Sequence, residues 1–110
     1  MSKYRLVLVT ASSMAEAERI AKKVVEKQLA ACVNIVPKVR SVYRWEGEVM
    51  VEKEALLIIK TTKKSLQKLE KTVKKLHSYE VPEFIAIKID EGSDTYLDWI
   101  ERSVSKAKER

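Results

Sequence analysis

Two long strand-like runs meet at one tight turn near the middle of this chain, and they restrict its fold more than any other feature. The first, Ala30 to Glu46, carries Val33, Ile35, Val36, Val39, Val42, Tyr43 and Trp45. The second returns from Val49 through Val51, Ala55, Leu56, Leu57, Ile58 and Ile59 to Thr61. Between them, Trp45-Glu46-Gly47-Glu48 supplies the turn, with a glycine free to take positive φ. Extended, even the shorter arm, Glu48 to Thr61, spans roughly 45 Å at ~3.3 Å per residue. A globule of this length has a radius of gyration near ~13 Å, hence a diameter of roughly 34 Å. The hairpin must bend, project, or both. Pro37 lies inside the first arm and cannot donate to a ladder, so it marks an edge, a bulge or a bend. A projecting hairpin leaves apolar side chains and unpaired strand edges in water, and pairing with another copy removes both costs. Tyr43, Trp45, Val49 and Val51 are therefore expected at an interface between copies, with closed symmetry as the usual solution. The number of copies does not follow from hairpin length.

The flanking segments complete the pattern. Tyr4 to Thr10 is a short, nearly continuous Val/Leu run, expected as a buried central strand. Ser13 and Glu16 have capping-box spacing. Behind them Met14, Ala17, Ile20, Ala21, Val24, Val25 and Leu29 recur at helical period, which predicts a helix over Ser13 to Gln28. Thr62 is placed to cap a second helix striped with Leu66, Leu69, Val73 and Leu76. A turn-rich link, His77 to Glu83, leads to a strand at Phe84 to Ile89. Gly92-Ser93-Asp94 breaks the chain before a last helix carrying Tyr96, Leu97, Ile100 and Val104, with Lys106 to Arg110 expected to fray. The order β-α-β-β-α-β plus a C-terminal helix is the split βαβ arrangement of the ferredoxin-like α/β plait, an α+β fold. At 110 residues there is room for one domain, spanning 1–110.

Composition removes several function classes. Cys32 is the only cysteine, so no disulfide framework exists within the chain. The charged start and short apolar run of MSKYRLVLVT do not read as a signal peptide, and no run reaches the ~20 apolar residues of a membrane span. A cytoplasmic protein is the resulting expectation. Charged residues make up 35% of the chain against a norm of about 25%, with only two Gly and two Pro, a composition that fits heat adaptation. The net charge of +6 admits a nucleic-acid partner. The lysines of both helices, interleaved with Glu, read instead as solvated faces. An RNA-recognition reading also lacks its central-strand aromatics, since Phe84 is the only Phe.

Three blocks carry a family resemblance. Ala30 to Glu48 reads AACVNIVPKVRSVYRWEGE, His77 to Ile89 reads HSYEVPEFIAIKI, and Tyr96 to Ile100 reads YLDWI. In this order and separation they resemble the CutA1 family of divalent-cation tolerance proteins, end to end. The resemblance implies a ferredoxin-like homotrimer whose hairpins pair between subunits, a tie to tolerance of divalent metals, notably copper, and a fold shared with PII-type signalling proteins. Lys38 stands where bacterial members usually have glycine, and Ser78 where HPYEVPE is the commoner form. Some copper-binding relatives carry a cysteine at the end of the first strand and a second histidine before the shared one; here those places hold Val9 and Leu76.

The candidate chemistry is sparse. His77 is the only histidine, and Glu80 and Glu83 nearby could add oxygens to a copper or other divalent-cation site. The competing reading is that His77 ends the second helix, where the dipole suits it, and hydrogen-bonds locally. Cys32 could serve as a ligand, but free cysteine in a strand is usually a small buried hydrophobe. Tyr43, Trp45, Tyr79 and Trp99 are expected around an inter-subunit cleft with Glu80 and Glu83. No Ser/His/acid spacing suggests a triad, and one cysteine with one histidine does not argue for catalysis, so an enzyme is not expected. Two readings remain: a trimeric metal-homeostasis protein that binds a divalent cation weakly, and a PII-like module that binds a small ligand or protein in its clefts.

Overall fold

A computed structural model describes residues 2–105. Its elements are β1 (Tyr4–Ala11), α1 (Met14–Glu26), β2 (Cys32–Trp45), β3 (Glu48–Thr62), a 3-10 turn (Lys63–Ser65), α2 (Leu66–Leu76), β4 (Ile85–Lys88) and α3 (Asp94–Ser105). The strands form one sheet in the order β2-β3-β1-β4. Every neighbouring pair is antiparallel. This is the α/β plait expected from the order of elements. The fraying expected of Lys106 to Arg110 lies outside the described residues.

Strict alternation along β1 and β3 builds the core. Val7, Val9 and Ala11 share a face with Ala55, Leu57 and Ile59, and α1 and α2 cover it with Ala17, Ile20, Ala21, Val24, Leu69 and Val73. Each buried Val, Leu or Ile contributes roughly 1.5–3 kcal/mol. Met14 and Val25, expected in the α1 stripe, instead lie on its exposed side. α3 packs on the other face of β1 and β3, where Ile100 and Val104 are buried apart from the main cluster.

Helix α1 starts as expected, with Ser13 at the N-cap. It stops without a glycine. Gln28 takes φ 59. Leu29 N–H then reaches back to Val24 O at 2.9 Å, and Gln28 N–H to Val25 O at 3.0 Å. That is a Schellman end, closed by the buried Val24 and Leu29. Thr62 differs from expectation. It precedes the 3-10 turn with extended backbone and makes no side-chain cap. Its hydroxyl is buried without a partner, because the 3-10 turn places α2 three residues further on. The fourth strand is also shorter than Phe84 to Ile89, because only Ile85–Lys88 pair with β1.

The hairpin closes through Glu46 (φ 50) and Gly47 (φ 83). Positive φ at both central residues is the two-residue turn whose twist matches that of the strands. In β2, Val36 faces Leu56 while Val39 faces Glu54, so one extra residue bulges out at Pro37-Lys38. Pro37 thus sits at a bulge of an edge strand, where its missing N–H costs least. The molecule measures 43 × 29 × 22 Å. Val42, Val49 and Val51, on the far half of the hairpin, are 66%, 63% and 57% exposed.

Candidate functional site

The link after α2 is held down by a buried network. His77 ends the helix with extended backbone. Its ring is fully enclosed. Nε2–H donates to the Thr10 carbonyl at 2.7 Å, and Nδ1 accepts from Tyr79 N–H at 3.0 Å. A carbonyl can only accept and an amide N–H can only donate, so these partners assign the neutral Nε2–H tautomer. The expectation that His77 ligates a metal does not fit this geometry, since both nitrogens are committed to backbone.

Glu16 is the other half of the network, and its carboxylate lies in a residue only 4% exposed. Oε1 accepts from Ser12 N–H at 2.9 Å and Ser12 Oγ–H at 2.8 Å, and Oε2 from Ser78 N–H at 2.7 Å. The capping box is therefore half made: Ser13 Oγ accepts from Glu16 N–H at 3.1 Å, but the carboxylate turns to Ser12 and Ser78. Burial alone would raise its pKa; the donors from Ser12 and Ser78 outweigh it and bring the value from 4.5 to about 2. Glu16 and His77 together strap residues 77–79 to the end of β1.

The strapped link forms one wall of an open cleft of about 500 Å³. Tyr79, Glu80, Val81 and Glu83 line it from the link, and Tyr43, Trp45, Met50, Glu52 and Glu54 from the hairpin. Met50, Glu52 and Glu54 come together because alternate residues of β3 share a face. Tyr79 Oη–H donates to Glu54 Oε2 at 2.6 Å across the cleft. Burial pushes the Tyr79 phenol well above its ordinary value, and the bond to Glu54 adds to it. Burial also raises the Tyr43 phenol, with Glu52 beside it. Glu83 is raised by burial and then by the charge on Glu54. The lining holds four carboxylates and no Lys, Arg or His. Aromatic and anionic walls of this kind suit a positively charged ligand.

The remaining expected residues lie elsewhere. Trp99 is not part of the cleft; it pairs with Tyr96 on α3 at 5.4 Å between ring centroids. Cys32, half-buried at the opposite end of β2, has Sγ 4.0 Å from Lys60 Nζ and 3.8 Å from Asn34 Oδ1. Among the described residues no group of three His, Cys, Asp or Glu is placed to hold a metal ion. Glu52 and Glu54 escaped sequence reading although their period-2 spacing with Met50 was a usable signal. Glu16 was visible only as a capping residue.

A family model, the CutA1 divalent ion tolerance protein, matches residues 5–103. The chain belongs to the CutA1 family. The divalent-cation tolerance protein CutA of Thermus thermophilus is 53% identical over 95 residues, covering 86% of this chain and 92% of that protein. A chloroplastic CutA protein of Arabidopsis thaliana is 47% identical, over 89% of this chain but 54% of its own length. Among solved structures, the periplasmic divalent cation tolerance protein CutA of Archaeoglobus fulgidus superposes with a TM-score of 0.89 at 42% identity, covering 92% of this chain and 98% of that one. CutA1 relatives are thus described from chloroplast and periplasm, so family membership does not support the cytoplasmic expectation. No helix among the described residues is long and apolar enough to cross a membrane.

Proposed function

We propose that this CutA1 chain works as a homotrimer in divalent-cation tolerance, gathering copper and other divalent ions weakly at its acidic clefts. The single observation that carries the cation reading is the cleft itself, with Glu52, Glu54, Glu80 and Glu83 on its lining and no side-chain cation among them. Carboxylates spread over an open cleft hold hydrated ions by charge rather than as a fixed ligand shell. Cys32 lies outside the lining, and His77 has no free nitrogen. Weak binding follows, with Glu80 and Glu83 as contributors. Calorimetry with copper and zinc tests it: Glu80→Gln with Glu83→Gln weakens both isotherms several-fold, while His77→Asn leaves them in place. Identical isotherms for wild type and the double variant reject the cleft as the site.

The trimer rests on the exposed hairpin. Val42, Val49 and Val51 on one face are more than half exposed within one copy, and Tyr43 and Trp45 on the other are partly exposed. Ile85 and Ile87 on edge strand β4 are half exposed as well. A second copy covering these surfaces completes the cleft walls at Tyr43 and Trp45.

A second reading is favoured by the aromatic side chains. Tyr43, Trp45 and Tyr79 give the cleft walls on which a small organic ligand can stack, as a PII-like signalling module requires. Thermal-shift screening with nucleotides, small anions and organic amines separates the readings; a rise in Tm with an amine, abolished by Trp45→Ala, supports it, and no shift with any ligand rejects it.

A further inference from the structure

We infer that the outer face of the α1–α2 layer is a docking surface for the phosphate backbone of a nucleic-acid duplex, bound without sequence preference. The observation is segregation of charge. Residues 14–27 and 63–76 carry ten of the 22 Lys and Arg but four of the 16 Asp and Glu. Their surplus equals the net charge of +6, and the rest of the chain holds 12 of each sign. One of the four acids, Glu16, is turned inward and buried, so the outer face is more basic still. All ten cationic residues are exposed. Of these ten, Lys74 is ion-paired, to Glu70 at 3.0 Å, and no other ion pair joins the layer's lysines and Arg19 to a carboxylate among the described residues. On sequence alone these lysines read as solvated faces laced with Glu. Folding puts them on one layer with few acids and leaves the acidic cleft on the opposite face of the sheet.

The arrangement selects among polyanions. Lys68, Lys71 and Lys75 recur at steps of three and four residues along α2, a rise of about 10 Å at ~1.5 Å per residue, with Lys64 in the 3-10 turn just before them. Leu69 and Val73 are buried against the core, so the row faces outward. A linear row of evenly stepped point charges matches a linear array of phosphates. No Phe, Trp or Tyr falls in residues 14–27 or 63–76. Single-stranded nucleic acid needs such aromatics for stacking. An anionic bilayer is held better where Trp, Phe or Leu can enter the interface. The surface therefore offers backbone contact alone, which positions a duplex and reads no sequence.

The test is fluorescence anisotropy with a labelled random-sequence DNA duplex across a salt series. Four phosphate contacts give a log–log slope near −3.6 and a loss of roughly 150-fold between ~50 and ~200 mM salt. Lys68→Gln with Lys71→Gln, both good helix formers, lowers the slope by about two. The matched pair Lys38→Gln with Lys88→Gln, outside the layer, leaves it unchanged. Equal losses in both pairs reduce the effect to net charge and overturn the proposal. So does a flat salt response, or binding to phosphatidylserine vesicles at salt where the duplex is released. Unfolding midpoints of both pairs confirm that the fold is intact.

Discussion

Strand β3 contains two regions that share a face yet live in different surroundings. Ala55, Leu57 and Ile59 are at most 1% exposed beneath α1 and α2, while Val49 and Val51, in register on the same side, are more than half exposed. Both sets are apolar, and Val49 and Val51 are at least as β-prone as the residues of the buried half. What separates them is length: the helices cover only the near half of the hairpin, and the far half has no partner within the chain. An apolar strand can therefore be built to two specifications at once, one for its own core and one for a neighbour.

The largest effect belongs to the near half. Leu57→Ala lowers stability by about 2–5 kcal/mol in denaturant titrations, the ordinary cost of a buried Leu deletion. Val51→Ala changes stability by an amount that grows with protein concentration, since its burial depends on assembly. A concentration-independent loss as large as that of Leu57→Ala would erase the distinction between the halves.

Next comes the Glu16 network, which belongs wholly to the packed region. Its carboxylate is ionised more readily folded than unfolded, so its contribution is complete above pH 4.5 and disappears as pH falls toward about 2. The shift corresponds to about 3 kcal/mol. Glu16→Gln loses much of that stability at neutral pH, and its acid unfolding profile falls less steeply across this window than that of wild type. Hydrogen exchange at the Ser78 and Tyr79 amides reports the strap directly, and both speed up in Glu16→Gln.

How far such features could be read from sequence depends on how local they are. The two long arms, the glycine turn and the bulge at Pro37 are written in period-2 spacing and in the chemistry of single residues, and each lies where expected. Schellman closure at Gln28 has no such mark, because it is made by the backbone bond from Leu29 to Val24 and the burial of both side chains rather than by glycine. Thr62 has the right identity for a cap but the wrong surroundings. The cleft was half legible: Tyr43, Trp45, Tyr79, Glu80 and Glu83 fall on it, while Glu54 and Trp99 show where sequence reading ends. Glu16 meets Ser78 across 62 residues, and no local pattern announces a contact made by folding alone.

A smaller effect sharpens the boundary between the regions. Tyr79→Phe removes the bond to Glu54 and costs about 1 kcal/mol, with Tyr79 contacting the cleft rather than the core. The smallest is electrostatic. Glu83 stays protonated to higher pH than usual because of burial and then Glu54, so Glu54→Gln lowers its pKa, as carboxyl NMR titration would record.

The far half of the hairpin carries the central claim, and sedimentation velocity of dilute protein tests it most directly. Wild type should sediment as a single trimer, and Trp45→Glu as smaller species with the near-half core still folded by circular dichroism. A stable wild-type monomer at all concentrations, or a Trp45→Glu protein that remains trimeric, would contradict an interface built on the exposed half of the hairpin.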